Sequence, residues 1–308
     1  MSSRRLVADA GGTNVRFAVA DADGRLDRVK IFQVADFPTF LDALSAYRSD
    51  AGGLREIGAG AIAAAGPVDG DVVKLTNNEW IVDGAKISAM LNDVPIALVN
   101  DLEAVAAALP HLGSADLTAL GAPVPVRPDR RTMLAVNVGT GFGAASVIWR
   151  DGRWYTCPSE AGHMTLAQVE AITGLSADAS IESVLSGSGL AELHARLAGG
   201  GGTRDPRKPA NVLAESVRDA AAARTVELFT AILGRIAGDL ALATCAWGGV
   251  YLCGSVAAAW SAIADAERFR AEFIRKGPMR ARMQQVPTAV IRRDIAALYG
   301  LAMLPISR

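Results

Sequence analysis

The 308 residues carry 31 Lys and Arg against 32 Asp and Glu, and a formal net charge of −1 leaves no electrostatic footprint for nucleic acid. With 51% apolar and 20% charged residues the composition is globular, and the chain is long enough for two domains that each bury a core. Cys157, Cys245 and Cys253 fall in no C-x-x-C spacing, so neither a disulfide framework nor a zinc cluster is indicated, and the default setting is reducing and intracellular.

The chain opens with a stretch that it writes twice. Leu6 to Arg25, "LVADAGGTNVRFAVADADGR", lies without a gap over Leu134 to Arg153, "LAVNVGTGFGAASVIWRDGR". Asp9 meets Asn137, and Gly11, Gly12 and Thr13 meet Gly139, Thr140 and Gly141. Each copy reads as an apolar strand, a tight glycine turn, a second apolar strand and an Asp-Gly hairpin turn. Ordinary hairpins would also read this way. Two copies with polar residues at the same turn positions instead indicate paired backbone hooks, because glycine lets a ligand approach bare N–H groups.

A third strand is expected over Val29 to Val34 and an amphipathic helix over Pro38 to Arg48. Ile57 to Gly66 reads as a small-residue strand buried on both faces. It and Gly139 to Ala144 match the dinucleotide pattern G-x-G-x-x-A, but neither glycine turn opens a clear helix, so that reading carries little weight. Pro67 to Trp80 reads as a loop and turn ending in a cluster of amides; Ile96 to Val99 is a buried strand leading straight into a helix, Leu102 to Leu109.

Beyond the second copy, "PSEAGHMTL" (Pro158 to Leu166) is a polar loop with Glu160 and His163 three apart. Ser180 to Leu190 reads as a short helix with Glu182 near its start, then a Ser/Gly turn. Gly199 to Pro209 is a flexible surface loop, followed by one long helix from Ala214 to Thr244. Leu240 to Ala264 carries no charged residue and is long enough to cross a bilayer. Its glycines split it instead into a helix end, a turn, a short buried strand "VYLC", another turn and a helix start. Asp9 interrupts the first apolar run, so no signal peptide is expected, and a cytoplasmic protein follows. The closing helix, Asp294 to Leu304, is studded with Ala296, Ala297, Gly300 and Ala302, which permits close backbone packing. Strands alternating with helices in two related halves indicate an α/β fold.

"VNDLEA" places Asn100 and Asp101 where a buried strand ends and a helix begins, the position at which ligands collect in open α/β sheets. A capping role explains Asn100 and leaves Asp101 for acid–base work. Glu160, His163 and Glu182 suit a polyhydroxylated ligand, since each can hold hydroxyls by charge-assisted hydrogen bonds; solvated loop charges are the plain alternative. With three histidines and no clustered cysteines, a structural metal site is disfavoured. No Walker loop or protein-kinase signature is present, so phosphate here would be held by backbone N–H groups, Thr13, Thr140 and Arg16.

In order and spacing, "DAGGTNVRFA", "TNNEW", "VNDLEAVA", "NVGTGFGAA", "SEAGHMTL", "ESVLSGSGL" and "WGGVYLCGSV" resemble the bacterial glucokinase family, over nearly the whole chain. The glycine turns mark only the superfamily of sugar kinases, heat-shock chaperones and actin, whereas "TNNEW", "VNDLEAVA" and "SEAGH" are specific to hexose kinases. The resemblance implies two domains of duplicated actin-like ATPase (ribonuclease H-like) fold with a cleft between them: residues 1–109 plus 293–308, and 110–292. It implies ATP-dependent phosphorylation of the glucose 6-hydroxyl. Asp101 resembles the base, and Asn100, Glu160, His163 and Glu182 the ligands of the other hydroxyls. Asp9 resembles the residue that holds Mg²⁺ through water. Gly11, Gly12, Thr13, Gly139, Thr140 and Gly141 resemble the phosphate turns, and Gly248, Gly249 and Gly254 the adenosine-side turn.

Ser255 departs from the family, which usually has a second glycine after Gly254. The cysteine cluster of the related repressor and kinase (ROK) family is missing, and the residues before Leu6 leave no room for that family's DNA-binding domain, so a repressor is disfavoured. Alternatives on the same scaffold are a kinase for mannose or an N-acetylhexosamine, a donor other than ATP, and a silent ATP-binding regulatory protein. A homodimer enters by analogy alone. As a base at a helix N-terminus, Asp101 is expected to have its basicity held down by the dipole.

Overall fold

The computed structural model describes residues 4–68, 70–76, 78–121, 130–166, 179–199 and 208–305. Contacts divide the chain into Met1–Leu109 with Ile295–Arg308, and Pro110–Asp294. The first unit runs β1 (Arg4–Ala10), β2 (Asn14–Ala20), β3 (Leu26–Gln33), α1 (Phe40–Asp50), β4 (Ile57–Ala64), β5 (Val72–Lys74), β6 (Ile81–Asp83), α2 (Gly84–Met90), β7 (Ile96–Asn100) and α3 (Asp101–Ala108). The second runs β8 (Leu117–Ala119), β9 (Met133–Val138), β10 (Phe142–Arg150), β11 (Arg153–Ser159), α4 (Gly187–Leu197), α5 (Pro209–Glu215) and α6 (Ala220–Ala243). It continues with β12 (Gly249–Cys253), α7 (Ser255–Ser261), α8 (Ala266–Phe273), α9 (Arg280–Gln284) and β13 (Thr288–Ile291). The chain then returns to the first unit with α10 (Ala296–Met303).

The internal repeat is visible as topology. One sheet has the order β3-β2-β1-β4-β7 and the other β11-β10-β9-β12-β13, with β8 added at its edge. In both, three antiparallel strands are followed by two parallel to the central strand. The two turns are not the same length, however. Ala10 pairs with Val15 across the first, while Val138 pairs with Phe142 across the second, which is one residue tighter. The gapless sequence repeat therefore slips by one position after the turn. Neither turn opens a helix; both lead into strands, and the dinucleotide reading falls with that.

Alternation along the strands of the first unit separates two cores. Leu6, Ala8, Val15, Phe17 and Val19 face one side with Phe40, Leu44, Tyr47 and Trp80, where the Phe17 and Tyr47 rings stack at 5.0 Å. Val7, Ala18, Ala61 and Ala63 face the other side with Ala104, Ala297, Leu298 and Leu301. The second side is built from small residues, which lets α3 and α10 come close: a Cβ at Gly300 would run into the Ala104 carbonyl. The core of the second unit is a single cluster that includes Val136, Phe142, Leu190, Phe229, Leu252, Trp260 and Phe269.

Three predicted elements differ. The long helix begins at Ala220, six residues late, because Asp219 caps it through Ala222 N–H and Ser216–Arg218 separate it from α5. Ser180 to Leu190 is not a helix followed by a turn but the reverse: Ser186 accepts from Gly189 N–H and caps α4, leaving Glu182 in the turn before it. Part of the Pro67 to Trp80 loop is strand β5, paired with β6. Residues 200–207 of the expected surface loop lie outside the described residues. Gly254, at φ +96°, ends "VYLC" and starts α7, as the glycine punctuation predicts. No helix among the described residues is long and apolar enough to cross a membrane.

Candidate active site

In the first unit the polar residues gather at one end of the sheet, on the small-residue face. Asp9 follows Val7 by two positions and Arg16 precedes Ala18 by two, so both side chains share that face. They are directly opposed on β1 and β2, and Arg16 Nη1 donates to Asp9 Oδ2 at 3.0 Å. The Asp9 side chain is only 13% exposed. Burial drives its pKa above the ordinary carboxylate value, with the Arg16 charge and hydrogen bond pulling the other way.

Asp101 begins α3, directly after β7. Its Oδ1 accepts from Leu102 N–H at 2.8 Å, yet its pKa is pushed up to about 6. Burial is the larger cause and the negative charge of Asp9 the second, and together they outweigh the backbone N–H groups of Leu102 and of Asp101 itself. The expected depression by the helix N-terminus is thus overturned: a dipole worth a fraction of a charge loses to desolvation. Asn100 does cap the helix, accepting from Leu102 N–H at 3.0 Å, and its Nδ2 donates to the Gly66 carbonyl at 3.2 Å.

Gly11 N–H closes the first turn onto the Asn14 carbonyl at 3.0 Å, and Val34 N–H donates to the Thr13 carbonyl at 2.9 Å. Among the described residues, the N–H groups of Gly12 and Thr13 take no part in the turn's backbone bonds. Sequence reasoning did not single out Asn78. Its Oδ1 accepts from Trp80 N–H at 2.7 Å, while its Nδ2 is the buried side-chain donor without a partner among the described residues. The amide cluster in "TNNEW" was the available signal.

In the second unit, Gly139 N–H donates to the Gly141 carbonyl at 2.9 Å, and Gly187 N–H, at the start of α4, donates to the Gly139 carbonyl at 2.8 Å. Thr140 at the tip is exposed. Glu182 sits directly against this turn: its Oε2 accepts from Phe142 N–H at 2.8 Å, and a Cβ at Gly141 would lie 2.5 Å from that oxygen. Glu182 N–H in turn donates to the Gly162 carbonyl at 3.0 Å, joining it to the loop of Glu160 and His163. Those two side chains are exposed, with His163 Nε2 at 3.9 Å from Glu160 Oε2.

The three glycines expected at one turn are divided by the structure. Gly254 is at the C-terminal end of β12, where a Cβ would collide with Asn137 Oδ1, and its Cα is 3.8 Å from the Cβ position of Gly139. Cys253 Sγ lies 3.6 Å from the Val136 carbonyl beside it. Gly248 and Gly249 belong to the other end of the strand. Gly248 N–H donates to the Thr132 carbonyl, Gly249 pairs with Met133, and Gly248 has backbone carbonyls of Arg131 and Thr132 where a side chain would go. A five-residue strand puts about 16 Å between its ends. These two glycines serve strand entry and not the turn at Gly254.

No group of three or more metal-ligating side chains occurs among the described residues. A single buried carboxylate such as Asp9, with one oxygen engaged by Arg16, fits Mg²⁺ in the manner usual at phosphate sites: one carboxylate, several waters and the substrate's own oxygens.

Comparison with known proteins gives this geometry a family. A family model described as Glucokinase matches residues 6–306. A glucokinase of Nitrobacter hamburgensis is 34% identical, covering 99% of this chain and 98% of that protein, and one of Stenotrophomonas maltophilia is 35% identical over 96% and 93%. The crystal structure of a glucokinase from an Antarctic psychrotroph superposes with a TM-score of 0.83 at 28% identity, covering 98% of both chains. A ROK family glucokinase from Streptomyces griseus, crystallised with glucose and AMPPNP, shares the fold at a TM-score of 0.67 and 21% identity over 97% of this chain and 98% of that one. The duplicated sheet, the paired glycine turns and the match across nearly the whole sequence agree: the chain belongs to the glucokinase family.

Proposed function

We propose that this sugar kinase transfers the γ-phosphoryl group of ATP to the 6-hydroxyl of glucose, with Asp101 as the general base. The observation that carries the reading is the Asp101 carboxylate, held at the end of β7 with its pKa raised to about 6 by burial and by Asp9. A base of that strength is ionised at neutral pH and still able to receive a proton, which is where acid–base catalysis is most effective. Phosphoryl transfer passes through a loose transition state, so the hydroxyl proton leaves late and positioning dominates.

The remaining roles follow the same division of residues. Asn100, pinned between Gly66 and the first turn of α3, orients a sugar hydroxyl beside Asp101. Glu160, His163 and Glu182 accept from and donate to the others, the first two with side chains exposed and able to meet a ligand. Gly11, Gly12 and Thr13, with Gly139, Thr140 and Gly141, offer backbone N–H groups and hydroxyls to the phosphates, and Gly254 lets the nucleotide pass close to the end of β12. Asp9 would hold Mg²⁺ through water, with Arg16 fixing the carboxylate's orientation. When bound, the cation supplies neutralisation of charge on the transferring phosphoryl group.

A coupled assay of glucose, mannose and N-acetylhexosamines against ATP, ADP and polyphosphate tests the reading. ATP-dependent turnover is expected to be highest with glucose; preference for another hexose or donor would replace that part of the assignment, and no turnover with any pair would overturn it.

A further inference from the structure

Glu182 is read above as a sugar ligand, yet its carboxylate is already committed to the nucleotide turn of its own unit. Three contacts close a ring. Glu182 Oε2 accepts from Phe142 N–H at 2.8 Å, Glu182 N–H donates to the Gly162 carbonyl at 3.0 Å, and Gly162 packs so closely on the Phe142 carbonyl that a Cβ would collide with it. Phe142 is the first residue after Gly139–Gly141, and Gly162 lies between Glu160 and His163. The glycines at 141 and 162 are what make room for the ring, since any side chain at either would displace Glu182 or Phe142. Glu182 is only partly buried, and Oε1 has no hydrogen-bond partner among the described residues.

We propose that Glu182 is a positioning residue that couples sugar occupancy to nucleotide affinity. A carboxylate is planar and rigid, so a sugar hydroxyl donating to Oε1 fixes where Oε2 lies. Fixed there, Oε2 holds Phe142 N–H and with it the shape of the Gly139–Gly141 turn that receives phosphate. Without sugar, the same side chain is free to leave the N–H and the turn loosens. The sugar thereby interacts differently with the gripping and the loose turn, which is the condition for a ligand to shift such an equilibrium. Linkage makes the effect mutual: nucleotide on the turn strengthens sugar binding by the same factor. The inference rests on Glu182 being a sugar ligand and goes beyond it.

The test is calorimetric titration of the full chain with AMPPNP and Mg²⁺, without and with saturating glucose; the analogue permits both ligands to be bound without turnover. In the wild type, glucose is expected to tighten AMPPNP about tenfold, within the usual range for coupled sites. Glu182→Ala should bring that ratio to near one. Glu182→Gln should keep most of it, because the amide oxygen still accepts from Phe142 N–H while its NH2 can donate to the same sugar hydroxyl, which then acts as acceptor. Glu182→Asp, one methylene short, keeps the charge and should lose the ratio, and it carries the test if the alanine variant does not fold. A merely structural Glu182 would weaken AMPPNP equally with and without glucose and leave the ratio intact, and that result overturns the proposal. So does a wild-type ratio of one in a protein that binds both ligands. A wild type that binds no glucose overturns the functional reading itself, and the coupling with it.

Discussion

The turn at Gly11–Thr13 and the turn at Gly139–Gly141 occupy the same place in sheets of the same order, yet the first ends beside a carboxylate and the second beside an amide. Asp9 is buried, paired with Arg16 and close enough to Asp101 to raise its pKa. Asn137, its counterpart, has Gly254 and Cys253 for neighbours and no charge to balance. A polyphosphate is itself anionic, so a turn with a neutral amide and bare N–H groups suits it, whereas carboxylates suit a cation and a proton. The two hooks hold the same place in their sheets but differ by one residue in length; under the proposed function, the change from carboxylate to amide divides the labour between them. Substitutions that exchange or erase the difference test this directly.

The largest effect is expected at Asp101. Asp101→Asn keeps the shape of the helix start, since the amide oxygen can still accept from Leu102 N–H, but it cannot receive a proton. Turnover should fall by about a thousandfold, within the span expected for a positioned base, while glucose binding measured by calorimetry largely persists. Near-wild-type turnover in this variant would remove the assignment.

Asp9→Asn makes the first turn resemble the second. Loss of the carboxylate should cut turnover by about a hundredfold, with the deficit shrinking as Mg²⁺ is raised, as for loss of one water-mediated metal contact. It should also act at a distance. Since the Asp9 charge is one of the two causes of the high Asp101 pKa, the residual activity should persist to lower pH than in the wild type. In the wild type, kcat/KM should fall as pH drops through about 6, as Asp101 takes up its proton. An acid limb that does not move in Asp9→Asn would show the two carboxylates to be uncoupled.

The raised pKa has a consequence for stability as well. A carboxylate whose folded pKa exceeds its unfolded value favours the native state below the unfolded value, and that contribution is lost as pH rises through about 6. At pH 8 the ionised Asp101 therefore costs the fold up to about 3 kcal/mol, by conversion of the shift. Asp101→Asn should be more resistant to denaturant than the wild type at pH 8, with the gain vanishing below about pH 4. A base kept at the expense of stability is what a catalytic site leads one to expect.

What was legible in the sequence was what neighbouring residues decide. The glycine turns, the Asp-Gly hairpins, the partition of Leu240 to Ala264 and the capping by Asn100 all depend on a few adjacent positions, and all are present. What was hidden depends on distance in the fold. The strength of Asp101 as a base comes first from its burial by the packed fold and then from Asp9, ninety-odd positions away and two strands across the sheet. Glu182 reaches a backbone N–H forty residues earlier. Gly248 and Gly249 looked contiguous with Gly254, but a strand turns six positions of sequence into opposite ends of a sheet. The one-residue slip between the turns was invisible because both copies place the same number of residues between their glycines and the next hairpin.

That slip sharpens the comparison through its smallest predicted effect. At Gly11 an added Cβ meets only the Asn14 carbonyl, at 3.3 Å, and the backbone has a short distance to give. At Gly141 the tighter turn leaves Glu182 Oε2 at 2.5 Å, so the same methyl group must push the carboxylate off Phe142 N–H. Gly11→Ala should therefore change nucleotide affinity less than about threefold, in line with a surface substitution that breaks no bond. Gly141→Ala removes a charge-assisted hydrogen bond worth about 1.5–3 kcal/mol and should weaken AMPPNP about tenfold or more. If the two variants weakened the nucleotide equally, the difference between the turns would be one of sequence alone, and Glu182 would not be what keeps the second in shape.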